Sequence, residues 1–239
     1  MSAEWKIPLE NVVPFPQQKE KFDIEEALEF QRYIFLAQEK LPIYYKFKVV
    51  FETIAAAALL VLLSIPMTLI ALAIRIRMGS PIIYKQLRVG KNAKPFWAYK
   101  FRTMHNNVPR VVDMGYKPLE KVVEDPRVEG RLGSFLRKWK WDELPQLWNV
   151  VKGDMLLIGP RPYMYHENFY FTKRQCVRFA VRPGISGLWQ TDSTINDPNK
   201  KANLDFYYVK KLNLLLDLFI WTRTLHFLSF VGEKIKTSK

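Results

Sequence analysis

The sequence predicts an α+β protein, mostly helical and monotopic in the membrane: a re-entrant, proline-broken membrane helix joined to a small cytoplasmic α/β domain with short strands. Three observations predict it. Thr53 to Ile74 is an uncharged apolar run interrupted by Ser64 and Pro66. Basic residues flank the run on both sides, Lys40, Lys46 and Lys48 before it and Arg75, Arg77, Lys85, Arg88, Lys91 and Lys94 after it. Beyond it, strand-like stretches between turn residues give way to helical patterns. A chain of 239 residues has room for one domain with a real core plus the membrane segment. It divides into an N-terminal extension (1–45), a re-entrant helix (46–78) and a cytoplasmic domain ending in an interfacial helix (79–239).

Taken in order, residues 1–20 are rich in Pro and Gln without periodicity and read as an extended arm. Asp23 to Gln38 carry a helical pattern, with Ile24, Leu28, Tyr33, Phe35 and Leu36 set against acidic positions. Lys46 to Ile76 is the hydrophobic helix. At about 1.5 Å per residue its uncharged run could cross a hydrocarbon core of roughly 30 Å. It starts far from Met1 and has no small-residue cleavage site after it, so it is not a signal peptide. Proline breaks or kinks a helix, and the positive-inside bias places both basic flanks in the cytoplasm. A helix that enters one leaflet, breaks at Ser64–Pro66 and returns satisfies both observations; a bitopic helix with a kink is the alternative.

After a turn at Gly79-Ser-Pro81, Ile82 to Gln86 and Phe96 to Arg102 read as two strands around a turn near Gly90 to Ala93. Alternation in the second strand puts Lys100 and Arg102 on one face, opposite Tyr99 and Phe101. Residues 105–124 read as irregular, Ser134 to Lys140 as a short helix, Met155 to Ile158 as a short apolar run and Tyr163 to Ala180 as a helix. Arg182 to Gln190 is a loop in which Gly184 and Gly187 could let backbone N–H groups converge on an anion, a plain turn being the simpler reading. Leu212 to Val231 is apolar but set with Asp217, Arg223 and His226, and fits an interfacial helix and a core helix equally.

Composition narrows the chemistry. The formal charge of +14 calls for an anionic partner: acidic lipid head groups, phosphate-bearing substrates or nucleic acid. With Cys176 as its one cysteine the chain can form no internal disulfide. His105, His166 and His226 lie far apart, without zinc spacing. There is no P-loop, dinucleotide fingerprint or internal repeat.

The most informative stretch is Arg137-Lys-Trp-Lys-Trp-Asp-Glu-Leu-Pro-Gln146, running on to Gly159-Pro-Arg-Pro162. It sets the adjacent carboxylates Asp142 and Glu143 among fixed cations. Asp142-Glu-Leu-Pro145 reads as a helix start, with Asp as N-cap and proline tolerated in the first turn, and Gly153 as the stop. Acids held among cations at the positive end of a helix suit phosphate chemistry; an ordinary cap with solvated charges is the plainer reading.

The wider pattern resembles the bacterial sugar transferases, the monotopic phosphoglycosyl transferases that initiate capsule, exopolysaccharide, O-antigen and glycoprotein glycan assembly. The resemblance runs from Lys46 to Thr224. It rests on Gly79-Ser-Pro-Ile-Ile-Tyr-Lys-Gln86 with Arg88-Val-Gly90, Tyr99-Lys-Phe-Arg-Thr-Met104, Asp125-Pro-Arg127, Leu136-Arg-Lys138 with Asp142-Glu-Leu-Pro-Gln146, Asn149-Val-Val-Lys-Gly-Asp-Met155, Gly159-Pro-Arg-Pro162, Arg182-Pro-Gly-Ile-Ser-Gly-Leu-Trp-Gln190, and Asp205 with Tyr208-Val209.

The resemblance implies a reaction: transfer of a sugar 1-phosphate from a nucleotide diphosphate sugar, usually a UDP-sugar, to undecaprenyl phosphate, with release of UMP. It implies Asp142 as the nucleophile, Glu143 beside it, and Mg2+ held by the two. It places Lys100, Arg102, Arg137, Arg161, Arg182 and Asp205 around the substrate, and Ser64 and Pro66 at the membrane re-entry. It also implies the cytoplasmic face of the bacterial inner membrane, no nucleic acid, a homodimer as an option, and downstream glycosyltransferases as users of the product. Arginine suits such a site because its planar fork binds two phosphate oxygens at once, and magnesium is content with one or two carboxylates plus substrate phosphates and water. The chain departs from the family pattern at Trp139, Lys140 and Trp141, at Leu156, and at Thr191 to Thr194, which leaves the sugar open. Two rival readings are a charge-driven scaffold or nucleic-acid binder, which gives Asp142 and Glu143 no task, and a transferase of the sugar alone.

Overall fold

The computed structural model describes residues 24–105, 127–164, 172, 175–192, 194–195 and 197–236. The expected N-terminal arm, most of the expected irregular excursion and Asp125-Pro126 lie outside the described residues. Eleven elements follow in order among those described: α1 (Ile24–Glu39), α2 (Ile43–Leu62), α3 (Ser64–Arg77), β1 (Ile83–Val89), β2 (Pro95–Phe101), α4 (Gly130–Lys138), α5 (Gln146–Lys152), β3 (Leu156–Ile158), β4 (Gly184–Ser186), α6 (Pro198–Lys210) and α7 (Leu214–Lys236). The α+β expectation holds: β1 and β2 form an antiparallel hairpin and β3 and β4 a short parallel pair, among helices.

The helix break falls where the sequence placed it, with one refinement. The chain breaks at Leu63, and Ser64 opens α3. Pro66 therefore sits in the first turn of α3, where a missing N–H disrupts nothing. The Ser64 hydroxyl donates to the Val61 carbonyl at 2.7 Å, so the serine takes up one of the acceptors that the break frees. The two helices meet at a bend of 61°. No single helix among the described residues is long and apolar enough to cross a membrane.

Each helix of the pair has an inner and an outer face. Tyr45, Lys48, Glu52 and Ala56 of α2 are buried, and Tyr45 and Ala56 belong to the main core with β3, α5, α6 and α7. Ile70 and Ile74 of α3 join Phe101 and Leu136 in a second, smaller cluster. The outer face leaves Phe47, Phe51, Ile54, Val61, Ile65 and Leu69 exposed. Stripping so much apolar surface from water is favourable, so this face calls for a cover.

Burial corrects three expectations. On α1 the core-facing residues are Phe30 and Ile34, whereas Tyr33, Phe35 and Leu36 are exposed. The spacing of Phe30, Ile34, Ala37 and Leu41 is the true stripe, and Phe30 meets Phe179 edge-on at 6.1 Å. Lys48 is not a head-group flank: it is 3% exposed and paired with Glu52 at 2.5 Å and Asp217 at 2.7 Å. Tyr163 to Ala180 is not one helix either. Met164 forms an isolated bridge with Arg88, and Gln175–Ala180 is a run of 3-10 turns.

Sequence reading missed α6 altogether, although its signal was present. Asp197 caps it, accepting from the Asn199 and Lys200 N–H groups, with Pro198 at the first position. On α7, Asp217 and Ile220 are buried while Leu215, Leu218, Phe219 and Leu225 are exposed, so the described part of the helix has both a core face and an apolar outer face.

Candidate active site

Register in the hairpin sets the first wall of the site. Tyr84 lies opposite Lys100, Gln86 opposite Ala98 and Arg88 opposite Phe96, and alternation puts these residues on one face. Lys100 and Arg88 thereby point the same way from two strands. Arg88 is buried and fixed, donating to Gln86 Oε1 at 2.5 and 3.0 Å and to the Pro162 carbonyl at 2.8 Å.

The carboxylates arrive from the opposite side, in a different setting from the one expected. α5 begins at Gln146 with Pro145 as its N-cap, and Asp142 and Glu143 lie one turn earlier in the 3-10 segment Trp141–Glu143. The acids therefore do not cap the helix. Lys140, just before them, is left-handed at φ 61°, an uncommon state for a residue with a side chain and one met at functional turns. The expected stop at Gly153 is correct, with φ 85°.

The third wall is the parallel pair β3–β4. Gly159 donates to the Ser186 carbonyl and Gly184 to the Pro160 carbonyl, both at 2.9 Å. A Cβ on Gly184 would collide with the Gly159 backbone, so glycine is required for the close approach. With its N–H committed to this pairing, Gly184 is not part of an anion nest. The pairing carries Arg161 to the cleft.

The result is a narrow cleft, open to solvent, lined by Arg88, Lys100, Glu143, Gln146, Arg161 and Gln190 among others. Lys100 pairs with Glu143 at 2.6 Å. Burial opposes the charge on Glu143, but Lys100, Lys140 and Arg161 outweigh it and hold the carboxyl well below the usual range. Burial pushes the Asp142 carboxyl up, the charge on Glu143 adds to this, and Lys100, Lys140 and Arg137 offset only part of it. Lys100 is pushed down by burial, with Arg161 and Arg88 adding to the effect and the two acids opposing it. Asp142 is 8% exposed, and its Oδ1 has no hydrogen-bond partner among the described residues. A buried carboxylate oxygen left open beside three cations is primed for a ligand. It can take a hard cation: two carboxylates fit magnesium, and among the described residues no cluster of three or more His, Cys, Asp or Glu could hold a metal.

The other expected site residues are placed differently. Arg137 lies in the last turn of α4 and its charge acts on Asp142. Arg102 is committed elsewhere: its guanidinium donates to the Ser80 carbonyl at 2.7 Å and to the Met78 carbonyl, closing the end of α3. β2 ends at Phe101, so the alternation that grouped Arg102 with Lys100 stops one residue short. Arg182 packs its guanidinium against Gly153, and it does not line the cleft. Asp205 is fully buried and acts through others. It pairs with Arg178 at 2.6 Å and accepts from Trp189 Nε1 at 3.3 Å. Arg178 in turn donates to the Arg161 carbonyl at 2.6 Å, and the Arg161 guanidinium lies 5.6 Å from the Trp189 ring centroid. Asp205 thus holds both supports of Arg161. Burial, against the pull of Arg178, raises its carboxyl to about 6.

Arg88 and Gln190 were not expected as site residues. Cross-strand register with Lys100 could have revealed Arg88. The second has no comparable local signal.

The model of a family described as bacterial sugar transferase matches residues 43–230. The chain is 37% identical over 176 residues to an uncharacterized sugar transferase, EpsL, of Bacillus subtilis, covering 72% of this chain and 81% of that protein. It is also 37% identical over 159 residues to an undecaprenyl-phosphate galactose phosphotransferase of Salmonella typhimurium, covering 62% and 33%. A third relative is a UDP-N-acetylgalactosamine-undecaprenyl-phosphate N-acetylgalactosaminephosphotransferase of Aeromonas hydrophila, 37% identical over 191 residues, covering 77% and 44%. The chain thus spans less than half the length of several curated relatives it matches.

Proposed function

The chain belongs to the bacterial sugar transferase family, and on that premise we propose that it transfers a sugar 1-phosphate from a UDP-sugar to undecaprenyl phosphate. The observation that carries the proposal is the open, buried oxygen of Asp142 beside a cleft walled by Arg88, Lys100 and Arg161. The Salmonella and Aeromonas relatives are named for this type of transfer.

In the proposed sequence the Asp142 carboxylate attacks the sugar-bearing phosphorus of the donor. The bond to the bridging oxygen breaks and UMP leaves, with its new negative charge met by the cationic wall. A phosphate oxygen of undecaprenyl phosphate then attacks the same phosphorus, frees Asp142 and forms the diphosphate-linked product. Dividing the transfer in this way lets two anionic substrates react in turn at one centre. Arg161 and Arg88 stabilise charge on the phosphoryl oxygens. Lys100, through its pair with Glu143, keeps a second cation at the attacking carboxylate. Asp142 and Glu143 are the residues that would hold magnesium, which would further neutralise the diphosphate when bound.

The nucleotide released tests the proposal. Incubation with a panel of UDP-sugars, undecaprenyl phosphate and Mg2+ should yield UMP; release of UDP would mean transfer of the sugar alone and reject the reading. Arg161→Ala should lower kcat/KM by about 10²–10³-fold, ~2.7–4 kcal/mol. Arg161→Lys should recover only part of this, since lysine lacks the fork. A near-normal rate in the alanine variant would remove Arg161 from the mechanism.

The same proposal puts the α2–α3 pair in the cytoplasmic leaflet of the bacterial inner membrane as a re-entrant hairpin. Its exposed apolar face, the 61° bend and basic residues on both flanks support this. Cysteines placed near Met1 and Lys239 in a Cys176→Ser background should both resist an impermeant reagent in intact spheroplasts. Replacing Ser64 and Pro66 with leucine should straighten the pair and turn the N-terminus outward. A wild-type N-terminus that reacts from outside would leave a bitopic anchor instead.

A further inference from the structure

We infer that Lys91, Arg182 and the Tyr45 hydroxyl form a second anion site, shaped for a phosphate monoester or diester, at the first turn of α2. None of the three lines the catalytic cleft. Lys91 stands in the 3-10 turn Lys91–Ala93 of the hairpin, with its Nζ 5.9 Å from the Tyr45 ring centroid. The Arg182 N–H donates to the Tyr45 oxygen at 3.0 Å. The Tyr45 phenolic proton is left without an acceptor among the described residues. The Arg182 guanidinium lies over Gly153, within 3.3 Å of where a Cβ would be, so the left-handed glycine is what admits it.

The chemistry of the group is one-sided. Lys91 and Arg182 are both half-buried, and neither has a carboxylate within ion-pair distance among the described residues. Burial, and after it the charge of Arg182, pushes the Lys91 ammonium down. Two like charges and a spare hydroxyl donor, with no carboxylate or carbonyl acceptor among the described residues and only the Tyr45 ring face near Lys91, are costly when vacant and favourable around an anion. A phosphoryl group offers the acceptor oxygens they need. Exposed Lys40 and Lys46 lie on either side of the α2 start and extend the positive field. A lipid head group and a soluble phosphate ester present the same chemistry, and the site does not depend on the catalytic reading.

Residue-resolved lysine acylation, read by mass spectrometry on the full chain in neutral detergent, tests this. In chloride buffer Lys91 should label readily. Its labelling should slow at least fivefold with inorganic phosphate at matched ionic strength, or with phosphatidylglycerol in the micelles in place of phosphatidylcholine. Lys152, exposed and paired with Asp154, should not change. Protection by phosphatidylglycerol alone identifies a head-group site, and by phosphate alone a site for a soluble ester. Arg182→Gln should abolish the protection. Because that variant could disturb Gly153, Lys91→Gln supplies a second measure. In chloride its Tm should rise, since a repulsion is removed; loss of a merely structural lysine would lower it. Unchanged Lys91 labelling with both anions, protection that survives in folded Arg182→Gln, or a lower Tm in Lys91→Gln would each overturn the inference.

Discussion

Asp142→Asn is expected to lose roughly 10⁴-fold or more in turnover, ~5 kcal/mol of transition-state stabilisation, while the protein stays folded. An amide is a very poor nucleophile and a poor magnesium ligand. The folded state should not suffer, because the wild-type carboxyl is buried with an oxygen that makes no hydrogen bond among the described residues. Removing a charge that burial already disfavours leaves stability unchanged or improved. The direct check is to incubate the wild type with a UDP-sugar in the absence of lipid acceptor, digest it and map the phosphosugar adduct. On the proposed mechanism the adduct should map to Asp142. Its appearance on Glu143, or an Asn variant within tenfold of wild-type activity, would reassign the nucleophile.

Lys48→Met should destabilise the fold by about 3–5 kcal/mol, the cost of breaking a buried ion pair from one side. Lys48 lies between Glu52 and Asp217, and all three are nearly inaccessible. The other bonds in this group depend on the acids staying ionised. Tyr44 and Tyr208 donate to Asp217 at 2.6 and 2.7 Å, and Leu157 N–H donates to Glu52 at 2.7 Å. Without the ammonium, two carboxylates face each other in the core. Thermal unfolding in detergent measures the loss. The double variant Lys48→Met with Asp217→Asn should recover part of it, because it removes the repulsion. A single variant within about 1 kcal/mol of wild type would show that water reaches this group.

Local features were legible in the sequence. The break at Ser64–Pro66, the hairpin around Gly90 and the stop at Gly153 each follow from the conformational limits of one or two residues. Non-local pairing was not. Asp142 and Glu143 read as a helix cap because Asp-x-x-Pro is a cap signal, but the chain spends Trp141–Glu143 on a tighter turn and starts α5 at Gln146. Lys100 and Arg102 looked equivalent by alternation. Only the end of β2 at Phe101 and the carbonyls of Met78 and Ser80 separate their tasks. Arg161, Arg178, Trp189 and Asp205 form one assembly from four segments, and no spacing rule links them. Lys48 was counted with the flanking charges because a sequence cannot show which side of a helix faces the protein. Its i, i+4 spacing from Glu52 was a local hint of the pairing.

The hydrogen bonds from Leu157 and Ile158 to Glu52 bear on any attempt to make this protein water-soluble. Cutting the chain ahead of β1 would discard the apolar helices, but it would also strip the acceptor from two strand amides and uncover the core that Ala56 fills. Such a fragment should aggregate. The productive edit is to keep the backbone of α2 and α3 and repaint their outward positions, Phe47, Phe51, Ile54, Val61, Ile65 and Leu69, with charged residues. Tyr45, Lys48, Glu52 and Ala56 should be left untouched.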